Sequence, residues 1–169
     1  MTKKESYFKF WWRSSNEHGV HSPFIFNLLM KGLYPKDSRW NGMSVKNAFV
    51  ARIEAYYAPK TVGVYGDYIS SLSNTIDFKT ISGQCDMIGI GKGESLPDLT
   101  KVYAAMHNDS ILVIDRRVEV ASVEAYWQEI VNDDRFTATI DFYYFGVAFV
   151  RTEQLKQHFV LRMSSMLFH

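Results

Sequence analysis

Residues able to do chemistry fall in a few places along this chain. Glu17, His18 and His21 lie close together, a spacing at which imidazoles and a carboxylate can share a metal ion. Gly19 between the histidines and a helix start at Ser22 favour a structural loop there instead. His107, His158 and His169 show no ligand spacing. GIGKGES (89–95) evokes a phosphate loop but lacks the G-x-x-x-x-G-K-[ST] spacing. Cys85 beside Asp86 has no neighbour with which to form a catalytic pair, and no G-x-S-x-G nucleophile turn occurs. What remains is a set of carboxylates at or near the ends of apolar segments: Asp67 next to Gly66, then Glu94, then Asp115. In a doubly wound sheet, a ligand at the carboxyl ends of the strands meets such residues first.

Strands and helices must position them. SILVID (110–115) is apolar throughout, as a central parallel strand should be. TVGVYG (61–66) and CDMIGIG (85–91) read as buried strands, and FKTIS (78–82) as a weak one. Helices are expected at 96–106 and at 118–131, the second with Val120, Val123, Trp127 and Ile130 inward. Strands at 136–143 and 146–151 form a closing hairpin, on which Asp141 and Arg151 are placed to pair. A final helix is expected over 152–162, capped by Thr152, with Glu153, Lys156 and Arg162 on its solvated face.

Upstream, Tyr7, Phe8, Trp11 and Trp12 recur at helical spacing and share a face. Ser22 and Pro23 fit the cap and first turn of a helix through FIFNLLMKGLY. Residues 44–57 read as an amphipathic helix with Ala48, Phe49, Ile53, Tyr56 and Tyr57 on its apolar face. Alternating strands and helices imply parallel β-α-β units, and the terminal hairpin an antiparallel edge.

The 169 residues suit one domain with a single sizeable core. A net charge of +1 supplies no excess positive field for nucleic acid. No apolar run is long enough for a membrane span, and Lys9 and Arg13 interrupt any signal-peptide core. One cysteine excludes an intrachain disulfide and a cysteine-rich zinc site, so a cytoplasmic, reduced protein is expected.

Two segments carry a family resemblance. NEHGVHSPFIFNLL (16–29) and IDFYYFGVAFVRTEQLKQHF (140–159) resemble the two ends of a methyltransferase-like family, and the second is similar to the closing hairpin of class I S-adenosylmethionine (SAM) methyltransferases. The resemblance covers roughly 8–33 and 96–162. It implies a Rossmann-like α/β fold, here truncated: a parallel sheet with a C-terminal antiparallel hairpin and an N-terminal helical extension. The extension spans 1–58 and the methyltransferase-like unit 59–169. It also implies where a cofactor would sit, and there the chain departs from the pattern. In VGVYGDYISS, Gly66 holds the first glycine slot, but Val64 stands in the acidic slot before it and Tyr68 and Ser70 in the later glycine slots. Ser82 and Gln84 stand where a ribose-binding acid is implied, and Gly91 where a third acid is. Asp115 keeps the first place of an acidic pair, whereas Arg116 reverses the charge of the second. Length agrees: 19 residues separate Gly66 from Asp86, room for one short strand when each parallel crossover needs roughly a dozen residues.

The expectation is therefore a degenerate methyltransferase relative that does not bind SAM and acts as an interaction or assembly module. An active SAM enzyme with an altered pocket is the alternative, with Gly66, Asp67, Glu94 and Asp115 as its cofactor contacts. Another small-ligand enzyme using the residual cleft is a third reading. Expected partner surfaces are the aromatic N-terminal helix, for a homodimer, and Tyr143, Tyr144 and Phe145 at the hairpin tip, for another protein.

Overall fold

The structure, a computed structural model, describes residues 3–164; Met1, Thr2 and residues 165–169, His169 among them, lie outside the described residues. Its centre is a sheet of seven strands in the order β2-β1-β3-β4-β6-β5-β7. These are β1 (Val62–Tyr65), β2 (Thr75–Asp77), β3 (Cys85–Ile90), β4 (Met106–Asp115), β5 (Ala138–Asp141), β6 (Phe145–Phe149) and β7 (Gln157–Val160). β2, β1, β3 and β4 run parallel; β6 is antiparallel to both β4 and β5, and β7 returns parallel to β5. The architecture is the truncated Rossmann-like α/β sheet with an antiparallel hairpin.

Period-two alternation sends each strand's side chains into two cores. Ile111 and Val113 of β4 face one core with Met87, Val147 and Phe149, while Leu112 and Ile114 face the other with Ile88, Ile90 and Ala148. The first core is covered by α2 (Pro23–Asn27), the π turn Leu28–Leu33 that prolongs it, and α3 (Val45–Tyr57). Ser22 caps α2 by accepting from the Ile25 amide, with Pro23 in the first turn, as its sequence suggests. The second core is covered by α4 (Leu99–Ala104) and α5 (Ala121–Asn132), whose Trp127 is fully buried against the bare backbone of Gly146. A short helix, α1 (Tyr7–Arg13), lies against the hairpin between β5 and β6. No helix among the described residues is long and apolar enough to cross a membrane.

Three local expectations are corrected. The helix over 152–162 is not formed: Gln157–Val160 is β7, which continues the sheet beyond β5 and buries Phe159. The Thr152 amide donates to Asn108 Oδ1, Lys156 Nζ donates to the carbonyls of Asp133 and Phe136, and Arg162 to those of Trp11 and Ser14. Those long-range partners replace a solvated helix face. In the second correction, FKTIS contributes a 3-10 turn (Phe78–Thr80), and the edge strand is the preceding Thr75–Asp77. In the third, Asp141 pairs with Arg116 rather than Arg151, which is engaged by Asp109 and Glu153.

Candidate functional site

β1 lies between β2 and β3, so the chain first moves outward from β1 and then returns past it. This reversal is a topological switch point, and the crevice outside the carboxyl ends of β1 and β3 is where such sheets bind ligands. Here the crevice is closed. Beyond the strand ends the two loops are cross-linked: the Gly91 amide donates to the Tyr65 carbonyl at 2.9 Å and the Asp67 amide to the Lys92 carbonyl at 2.9 Å. The Asp67 carboxylate accepts from the Lys92 amide at 2.7 Å. Gly66 adopts φ +66 and lies so close to the Lys92 carbonyl that no Cβ would fit.

Tyr68 then fills the space. Its side chain is buried and its ring lies over Gly89 of β3, where any Cβ would overlap the ring carbons. The phenol finds no hydrogen-bond partner among the described residues, and burial, with Glu54 and Asp115 nearby, pushes its pKa well above the ordinary value. The loop that delivers Tyr68 is pinned from below. Glu54 of α3, almost fully buried, accepts from Ser70 Oγ at 2.8 Å and from the amide and hydroxyl of Ser71 at 3.1 Å. Glu54 follows inward-facing Ile53 directly, so helical periodicity places it on the flank of the apolar stripe and does not single it out.

Of the four candidate cofactor residues, Gly66, Asp67 and Asp115 lie along the carboxyl edge of β1, β3 and β4, and Glu94 lies apart. Gly66 and Asp67 belong to the loop cross-link just described. Asp115, at the end of β4, is held by Arg117 through Oδ1–Nε at 3.1 Å and Oδ2–Nη2 at 2.7 Å. Glu94 is exposed and lines a different feature, an open groove of about 790 Å³. That groove lies over the second core between the Phe78–Ile81 segment and α4, with Tyr65, Lys79, Asp98 and Lys101 on its walls. Of the four candidates only Glu94 lines it.

Arg116, which follows β4, is the centre of a buried charge cluster. Its guanidinium, 4% exposed, bonds Glu124 of α5 at 2.9 and 3.2 Å and Asp141 of β5 at 2.7 Å. Lys4 reaches the same cluster, 3.5 Å from Glu124. Two buried cations and two buried carboxylates balance, as burial requires. Neither Glu124 nor Lys4 stands out in the sequence as a partner of Arg116.

Elsewhere, His18 is exposed beside Glu17 and His21 is exposed. Among the described residues no group of three or more His, Cys, Asp or Glu is arranged to hold a metal ion. His107 bonds Asp86 at 2.8 Å, and Asp86 also accepts from the amides of Lys60 and Thr61, which ties the starts of β1, β3 and β4 together. At the hairpin tip Phe145 is fully buried, while Tyr143 and Tyr144 are half-buried under Tyr7 of α1.

Comparison of the chain with family models, with curated proteins and with solved structures finds no match.

Proposed function

We propose that this chain is a degenerate relative of class I SAM methyltransferases that no longer binds SAM and serves as an interaction or assembly module. The observation that carries the reading is the occupied switch point: Tyr68 lies on Gly89 where a ligand would approach bare backbone. Isothermal titration of the folded chain with SAM, and separately with S-adenosylhomocysteine, tests it. No saturable heat is expected even at millimolar ligand. Micromolar binding of either would overturn the reading. If Glu94→Ala then abolished that binding, the groove beside α4 would be the site, and a small-ligand enzyme the better description.

The surface offered for interaction is the outer face of α1. Phe8 and Trp12 are 71% and 75% exposed and stack on each other at 6.3 Å. Adjacent exposed aromatics of this size mark contact sites more often than chance. The occupant we favour is a second copy, with the two α1 faces meeting about a twofold axis. A stable interface needs about 800 Å² from each partner, more than two side chains supply, so the association is expected to depend on concentration. Sedimentation of the full chain against Phe8→Ser/Trp12→Ser reads this: a dimer that persists in the variant, or a full chain monomeric at every concentration, refutes it.

A further inference from the structure

Lys4 is seated in a cage built by the rest of the fold. Its side chain is 5% exposed. The ammonium donates to the Arg116 carbonyl at 2.7 Å, lies 3.5 Å from Glu124 Oε1, and stands over the rings of Tyr143 at 4.4 Å and Tyr144 at 5.7 Å. A carbonyl, a carboxylate and two aromatic faces are the partners that recognise an ammonium ion. All of them come from the ends of β4 and α5 and from the β5–β6 turn, none from the segment that carries the lysine. Tyr143 is held at φ +72, a region bulky residues seldom adopt, with its amide on Asp141 Oδ1 at 2.7 Å.

Two further contacts extend the site along the chain. Tyr143 Oη donates to the Glu5 carbonyl at 2.9 Å, and Tyr7 stacks on Tyr144 at 5.7 Å while meeting Tyr143 edge-on at 5.1 Å. Residues 3–6 carry no helix or strand, so Lys4 to Ser6 is a non-helical lead into α1. The pattern read by the cage is thus a lysine, a backbone carbonyl and an aromatic ring three residues after the lysine.

We propose that this cage is a binding site for a Lys-x-x-aromatic segment of a partner protein, filled in the isolated chain by its own Lys4-Glu5-Ser6-Tyr7 as a ligand in cis. The proposal deepens the interaction-module reading by naming a partner class. It is tested without SAM, so either can fail alone.

The probe is a blocked Lys-Glu-Ser-Tyr tetrapeptide, with an Nε-acetyl-lysine version as control. Titrated into the full chain carrying Lys4→Ala/Tyr7→Ala, the free peptide is expected to bind saturably. The acetylated peptide, or an added Glu124→Gln substitution, should weaken it by about tenfold or more, because both remove the ammonium–carboxylate pair. No binding to the folded variant overturns the proposal. If the variant does not fold, the wild-type chain decides. Lys4 should acetylate at least about tenfold more slowly than exposed Lys9, and excess peptide should speed Lys4 labelling toward the Lys9 rate. A Lys4 rate that peptide leaves unchanged overturns the proposal.

Discussion

Arg116→Met is expected to destabilise the protein by about 3–5 kcal/mol, because it leaves two buried carboxylates, Glu124 and Asp141, one cation short. Glu124 and Asp141 are 4% and 9% exposed in their side chains, so water cannot replace the lost cation. After the substitution Glu124 keeps Lys4, at 3.5 Å, and Asp141 keeps the Tyr143 amide, at 2.7 Å, and the more distant Arg13 guanidinium, at 3.9 Å. In a chain of this size the loss corresponds to a fall in Tm of roughly 6–20 °C. The double variant Arg116→Met/Asp141→Asn should recover much of it, since one cation and one carboxylate then leave together and Lys4 stays paired with Glu124. Calorimetry of the two variants side by side is the check. A single variant within about 1 kcal/mol of wild type would show that the cluster is solvated and the pairing weak.

The second large effect concerns the closed crevice. Gly89→Ala is expected to lose about 2–3 kcal/mol, because the new methyl must displace the Tyr68 ring from a packed site. Tyr68→Ala should lose about 3–5 kcal/mol through the cavity it leaves. Combined, they should cost little more than Tyr68→Ala alone, since the space the ring vacates receives the Gly89 methyl. The coupling, about 2–3 kcal/mol, is then a measure of how completely Tyr68 occupies the switch point. Urea denaturation of the two single variants and the double variant gives it. Simple additivity would mean that ring and strand do not share that space, and the proposal that a closed crevice excludes SAM would go with it.

Several elements were legible because their determinants are local. The unbroken apolar run ILVI (111–114) needs burial on both faces and can be little other than a central strand. Val123, Trp127 and Ile130 share a helical face and are buried together. Other readings failed where the deciding partner is remote. TEQLKQHFVLR has helical composition, yet Gln157–Val160 meets the free edge of β5, and pairing there outweighs a weak local preference. Asp141 has Arg151 nearby in sequence, but strand alternation turns it to the core shared with α5, where Arg116 waits.

The candidate site divides the same way. Sequence alone determined the residue types around Gly66, with Val64 before it and Tyr68 and Ser70 after it, and the 19-residue interval to Asp86 that leaves room for one short strand. Those are matters of residue type and chain length, which no folding can alter. Only the tertiary structure decided the remote contacts: Tyr68 over Gly89, Glu54 beneath the Ser70–Ser71 turn, and Lys4 in a cage more than a hundred residues away in sequence. Such contacts join segments whose patterns carry no mark of one another. A buried charge or a ring over a strand is chosen by the shape and unpaired polarity of its surroundings, and these exist only once the sheet has assembled.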